Sequence, residues 1–175
     1  MGDVSKGKVL IVDDEQTALK ILSAILEAEG YLVLQATDVD EAVHNLENNK
    51  FDTISTEMKM PGKSGLDLVK HVKLHHPEIP VIFLTAYGTI EASVDVMNDG
   101  AYHYFVKPPD FQKLKNVLAS AVEQGRLKRE ISLLRNRREE EFNSLMFLGD
   151  SPEMKYIYDM VQWVKNSSSS VLFCS

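Results

Sequence analysis

Five residues of this 175-residue chain have the types and the spacing to do chemistry: Asp13, Asp14, Glu57, Thr85 and Lys107. Each stands at the carboxyl end of a short strand-like run. Asp13-Asp14 follow Val9-Leu10-Ile11-Val12, and Glu57 follows Thr53-Ile54-Ser55-Thr56. Thr85-Ala86 end Val81-Ile82-Phe83-Leu84, and Lys107-Pro108 end Tyr104-Phe105-Val106. An Asp-Asp pair alone more often caps a helix or faces solvent. Three carboxylates, a hydroxyl and an ammonium drawn from four different runs are a more specific signal. The chemistry that suits them is phosphoryl transfer. A carboxylate attacks phosphorus only where its own charge and the phosphate's are offset by cations and hydrogen-bond donors.

The elements that must position these groups alternate in type. Residues 9–12, 31–34, 53–56, 81–84 and 104–106 read as strands, being short and rich in β-branched or aromatic side chains. The first and fourth are apolar throughout, as strands buried on both faces of a parallel sheet are. The third is the least apolar. Between them lie helical spacings: Leu19, Leu22 and Leu26; Ala18, Ile21 and Ile25; Ile90, Val94 and Met97. Asp38, three residues before Glu41, caps the second helix, and Gly30 stops the first. The alternation predicts an α/β, doubly wound, five-stranded parallel sheet with right-handed crossovers. In such sheets ligands bind outside the carboxyl ends of the strands, where the five residues fall.

Composition narrows the class. The chain is 44% hydrophobic and 26% charged, with a net charge of -7, which argues against a nucleic-acid surface spread over the whole molecule. Its one cysteine, Cys174, allows no internal disulfide and suits a reducing cytoplasm. No basic-then-apolar N-terminal stretch predicts a leader, and no run approaches the roughly 20 apolar residues of a membrane span. The five histidines, 44, 71, 75, 76 and 103, show no metal-ligand spacing with one another or with Cys174.

With Phe51-Asp52-Thr53-Ile54-Ser55-Thr56-Glu57-Met58-Lys59-Met60-Pro61-Gly62 and Lys107-Pro108 in place, the constellation resembles the phosphoryl-receiving pocket of a two-component response-regulator receiver domain. The resemblance covers about residues 8–124. It implies the strand order 2-1-3-4-5 and a Mg2+ site in which Asp14 is a direct ligand, Asp13 binds through water, and the Lys59 carbonyl and the acceptor position, Glu57, complete the set. It implies that Lys107 and Thr85 meet the phosphoryl oxygens, that the Lys107-Pro108 peptide is cis, and that Tyr104 changes rotamer on switching. The output face would be residues 89–98, 102–106 and 111 onward, and the partner a sensor histidine kinase.

The acceptor in receivers is normally Asp, and here it is Glu57. Its carboxylate reaches about 1.5 Å farther, one carbon-carbon bond. An error of about 1 Å in attack geometry can cost on the order of 100-fold. Two readings follow. Glu57 mimics phosphoaspartate and biases the domain toward its active state, or the pocket is a degenerate receiver that acts as a constitutive interaction or dimerisation module. Crowding of Asp13, Asp14 and Glu57 is expected to raise a carboxyl pKa.

After Pro109 a long helical stretch begins. Leu114, Leu118 and Ala121 keep the period, Gly125 is its only glycine, and Leu127, Ile131 and Leu134 repeat among Arg, Lys and Glu. That is a coiled-coil dimer seam or a solvated charged helix. The expected organisation is a receiver over 1–125, a linker helix over 126–146, and the start of an AAA+ ATPase domain over 147–175. The last part is similar to NtrC-type sigma-54-dependent activators on Leu148-Gly149-Asp150-Ser151-Pro152-Glu153-Met154 and on Val171-Leu172-Phe173. Such proteins bind DNA through a further segment that this chain lacks. Without the glycine-rich loop and its lysine this chain should not bind ATP, so it reads as a regulatory domain and not an enzyme.

Overall fold

The computed structural model describes residues 5–86 and 88–146. Residues 147–175, read above as the start of a further domain, lie outside them. The order is β1 (Lys8–Val12), α1 (Gln16–Ala28), β2 (Leu32–Ala36), α2 (Val39–Asn48), β3 (Thr53–Thr56), α3 (Gly65–His75), β4 (Val81–Thr85), α4 (Ile90–Asn98), β5 (His103–Val106) and α5 (Phe111–Met146). The five strands form one sheet in the order β2-β1-β3-β4-β5, every pairing parallel. The chain divides into two compact units, Met1–Arg129 and Glu130–Ser175.

Strand alternation builds a core on each face of the sheet in the first unit. Leu10, Val12, Ile54 and Phe83 face one way, against Val39, Ala42 and Leu46 of α2 and Leu68, Val69 and Val72 of α3. Val9, Ile11, Ile82 and Leu84 face the other, against Leu19, Leu22 and Leu26 of α1 and Leu114, Leu118 and Ala121 of α5. The third strand, least apolar in sequence, is buried along its whole length. It tolerates this because its hydroxyls have acceptors: Thr53 Oγ1 donates to the Pro80 carbonyl and Thr56 Oγ1 to the Glu57 carbonyl, each at 3.0 Å.

One expectation needs correction. The second strand starts at Leu32, not Tyr31. The helix end consumes the preceding amides: Gly30, at φ 90°, donates its N–H to Glu27 and Tyr31 donates to Leu26, the paired closure of a Schellman motif. The helical spacing read over α4 holds, with Val94 and Met97 exposed and Val96 buried. The α2 cap holds, with Asp38 accepting from the Glu41 N–H at 2.8 Å. Among the described residues no helix is long and apolar enough to cross a membrane.

Burial predicts the cost of truncation. Leu118→Ala should lower unfolding free energy by about 2–5 kcal/mol. Val94→Ala, on the exposed face of α4, should change it by less than about 0.5 kcal/mol. Denaturant titration of both variants checks the contrast.

Candidate functional site

The carboxyl ends of β1, β3, β4 and β5 bring the predicted groups together. Asp13, Glu57 and Thr85 are all buried, Glu57 at 5% exposure. The Glu57 carboxylate is surrounded by donors. Its Oε1 accepts from the Thr85 hydroxyl, from the Met58 N–H at 2.7 Å and from the Lys59 N–H at 3.4 Å. Its Oε2 accepts from the Ala86 N–H at 3.3 Å and meets the Lys107 ammonium at 2.9 Å. Lys107 also lies 2.5 Å from Asp13 Oδ2, so one ammonium bridges two buried carboxylates. The other Asp13 oxygen accepts from the Glu15 N–H at 3.0 Å. The Lys107-Pro108 bond is cis, as the resemblance implies.

The remaining predicted residues stand farther out. Asp14 is exposed, and Lys59 is exposed while its amide faces Glu57. Tyr104 is partly buried against the core that packs on α2 and α3. Burial, and then the charge of Glu57, push its phenol pKa up. Met58 and Ala86, and for Lys59 its amide rather than its carbonyl, were not legible in the sequence as part of the site, because any residue supplies an amide. The signals that position them are small residues. Gly65 N donates to the Met58 carbonyl at 2.9 Å, and a Cβ on Gly65 would stand 2.2 Å from the Glu57 carbonyl oxygen. Ser64 opens α3 just there, with Asp67 completing a capping box.

At Glu57 the surrounding donors, and not the crowding of acids, set the direction of titration. Burial pushes the Glu57 carboxyl up, but the Thr85 hydroxyl, the Lys107 ammonium and the Met58 amide outweigh it, and the net shift is downward. Burial pulls Lys107 down, and Asp13 and Glu57 outweigh it to raise it. The Thr85 hydroxyl and the ammonium account for the first direction, and the two acids for the second.

Of the three carboxylates assigned to Mg2+ by resemblance, Asp13 and Glu57 share Lys107 and Asp14 is exposed. Among the described residues no group of three His, Cys, Asp or Glu side chains is placed to hold a metal ion. The assigned donors are oxygens of the kind Mg2+ takes, and in this arrangement the Lys107 ammonium stands between two of them.

A parallel sheet in this order, with a lysine, a threonine and acidic residues converging at its carboxyl ends, defines a receiver-type signalling domain rather than a catalytic one. The family model of the response regulator receiver domain matches residues 9–119, and the chain belongs to that family. Among curated relatives, the transcriptional regulatory protein ZraR of Klebsiella oxytoca is 31% identical over 164 residues, 94% of this chain and 36% of its own length. The DNA-binding transcriptional regulator NtrC of Proteus hauseri is 28% identical over 97% of this chain and 35% of its own length. The chain thus spans about a third of the length of these relatives. A receiver-domain crystal structure from Clostridium thermocellum superposes with a TM-score of 0.64 at 35% identity, covering 69% of this chain and 97% of that one. The response regulator TrrA of Thermotoga maritima, solved in complex with Mg2+-BeF, gives a TM-score of 0.60 at 29% identity, covering 65% and 97%.

The pKa directions fix a pH dependence. A depressed Glu57 stabilises the fold above the ordinary glutamate value of about 4.3, and this is lost as pH falls through the lower folded value. A raised Lys107 stabilises below about 10.4, and this is lost as pH rises through the folded value. Glu57→Gln should therefore flatten the acid limb of a melting-temperature profile. An acid limb as steep as the parent's refutes the assignment.

Proposed function

We propose that this chain is the signal-input part of an NtrC-type, sigma-54-dependent transcription activator in which Glu57 stands in place of a phosphorylated aspartate. The observation that carries the reading is the donor set around one carboxylate: the Thr85 hydroxyl, the Lys107 ammonium and the amides of Met58, Lys59 and Ala86. Those are the groups that would hold phosphoryl oxygens, and Glu57 engages them all. Its extra methylene takes the carboxylate off the nucleophile's position and onto the position of the group to be received.

Thr85 is the switch hydroxyl in this reading, drawn onto Glu57, and Tyr104 is the aromatic that follows it. Asp13 holds Lys107 in place of a metal ion, so no Mg2+-dependent step is needed to keep the pocket closed. Mimicry is partial. A carboxylate has one charge and two oxygens, where a phosphoryl group has nearly two charges and three terminal oxygens. The output passes through residues 89–98, 102–106 and α5 to an AAA+ domain that begins within 147–175, and DNA is bound by a segment beyond it. Residues 126–146 act as the linker. The exposed Leu127, Ile131 and Leu134 on it suit a homodimer seam. A sensor histidine kinase is the upstream partner by family, and the setting is the cytoplasm.

Glu57→Asp tests the assignment. After incubation with Mg2+ and a small phosphodonor, intact-mass analysis should show a phosphoryl group on the Glu57→Asp variant and none on the parent. Mg2+ should raise the melting temperature of the variant and leave the parent where an equivalent monovalent salt does. If neither protein is modified, the pocket is degenerate and the constitutive-interaction reading replaces this one.

A further inference from the structure

At the opposite end of β3 from Glu57 lies a second buried carboxylate, Asp52, 6% exposed and unused by the pocket. Its Oδ2 accepts from the Lys8 N–H at 2.8 Å and stands 3.6 Å from Arg126 Nε. Its Oδ1 accepts from Arg129 Nη1 at 3.1 Å, and Arg129 Nη2 donates to the Phe51 carbonyl. Arg126 also reaches the Ser5 carbonyl at 3.4 Å. Both arginines lie on α5, beyond its last core residues, Ala121 and Val122. Arg129 is the last residue of the first compact unit.

Gly125, unexplained as a glycine within a long helix, has its reason here. A Cβ on it would stand 2.2 Å from the Asp52 carbonyl oxygen and 3.1 Å from Pro80 Cδ. Only a residue without a side chain lets the helix lie against the β3 backbone so closely. Glycine is among the poorest residues for a helix interior, so the sequence gives up local helicity for this approach.

We infer that Asp52 is a positioning residue: with Gly125, Arg126 and Arg129 it forms a joint that fastens α5 to the base of β3, so that helix order past Ala121 depends on that anchor. Beyond Val122 the apolar residues Leu127, Ile131 and Leu134 of α5 are exposed. These side chains lie outside both cores, so within one chain the joint is what fastens the helix past Val122. An arginine-carboxylate pair is suited to the task, because the guanidinium binds in a fixed direction and holds the helix in register. The contact stands independently of the role proposed for Glu57.

Amide hydrogen exchange on the full chain tests the joint, comparing residues 126–134 with those of β1 and β3. Arg129→Leu leaves Asp52 bonded to Lys8, and should speed exchange over 126–134 by about tenfold or more, as for loss of a hydrogen bond to a charged group, while the strands keep their protection. Arg129→Lys should recover part of it. Gly125→Ala decides by sign. Alanine favours a helix, so without a joint it slows exchange over 126–134. With one, it lifts the helix off Asp52 and speeds exchange. Slower exchange in Gly125→Ala, or equal acceleration of helix and strands in Arg129→Leu, overturns the inference.

Discussion

One ammonium holds the functional end of this domain together. Asp13 and Glu57 are both buried and follow adjacent strands, and two such carboxylates without a cation would repel and lack solvation. Lys107 comes from the end of β5, with β4 between it and β3 in the sheet, and crosses to meet both acids. The pocket therefore exists only when the sheet is complete. Removing one partner from such a group leaves an uncompensated buried charge, which costs far more than the pair contributes. The directions of titration at Glu57 and Lys107 express the same dependence.

The rest of the molecule sets the geometry for that contact. Two apolar layers clamp the sheet from both sides, and the polar side chains of β3 are tolerated inside because backbone carbonyls accept from them. The loop after β3 is held by Gly65 and the Ser64–Asp67 box, which bring the start of α3 against the Glu57 backbone. Fixed amides then face the carboxylate without reorganising.

Most of this fold was legible in the sequence, because its signals are those of buried parallel strands and of polar residues at their ends. Asp13, Glu57, Thr85 and Lys107 meet as their positions imply. What was not legible falls into four physical kinds. Backbone donors have no residue signature, so the amides of Met58, Lys59 and Ala86 could not be read. Apolar periodicity does not say which face is covered, so the spacing through Val94 and Met97 marks a helix without showing that both residues are exposed. The direction of the Glu57 shift depends on where a hydroxyl and an ammonium lie in space, which counting acids in the sequence does not give. Gly125 was visible as an anomaly, but its cause, the carbonyl of Asp52, is far away along the chain.

The donor set around Glu57 also has a consequence in time. A phosphoryl group on a carboxylate is an acyl phosphate, and water removes it, so a receiver that carries one has a built-in clock. A carbon-carbon bond has none. In the reading proposed above, whatever state the Thr85–Glu57–Lys107 contacts favour is set when the chain folds and persists as long as the chain does. The duration of the signal then becomes a matter of how fast the cell makes the protein and how fast it destroys it.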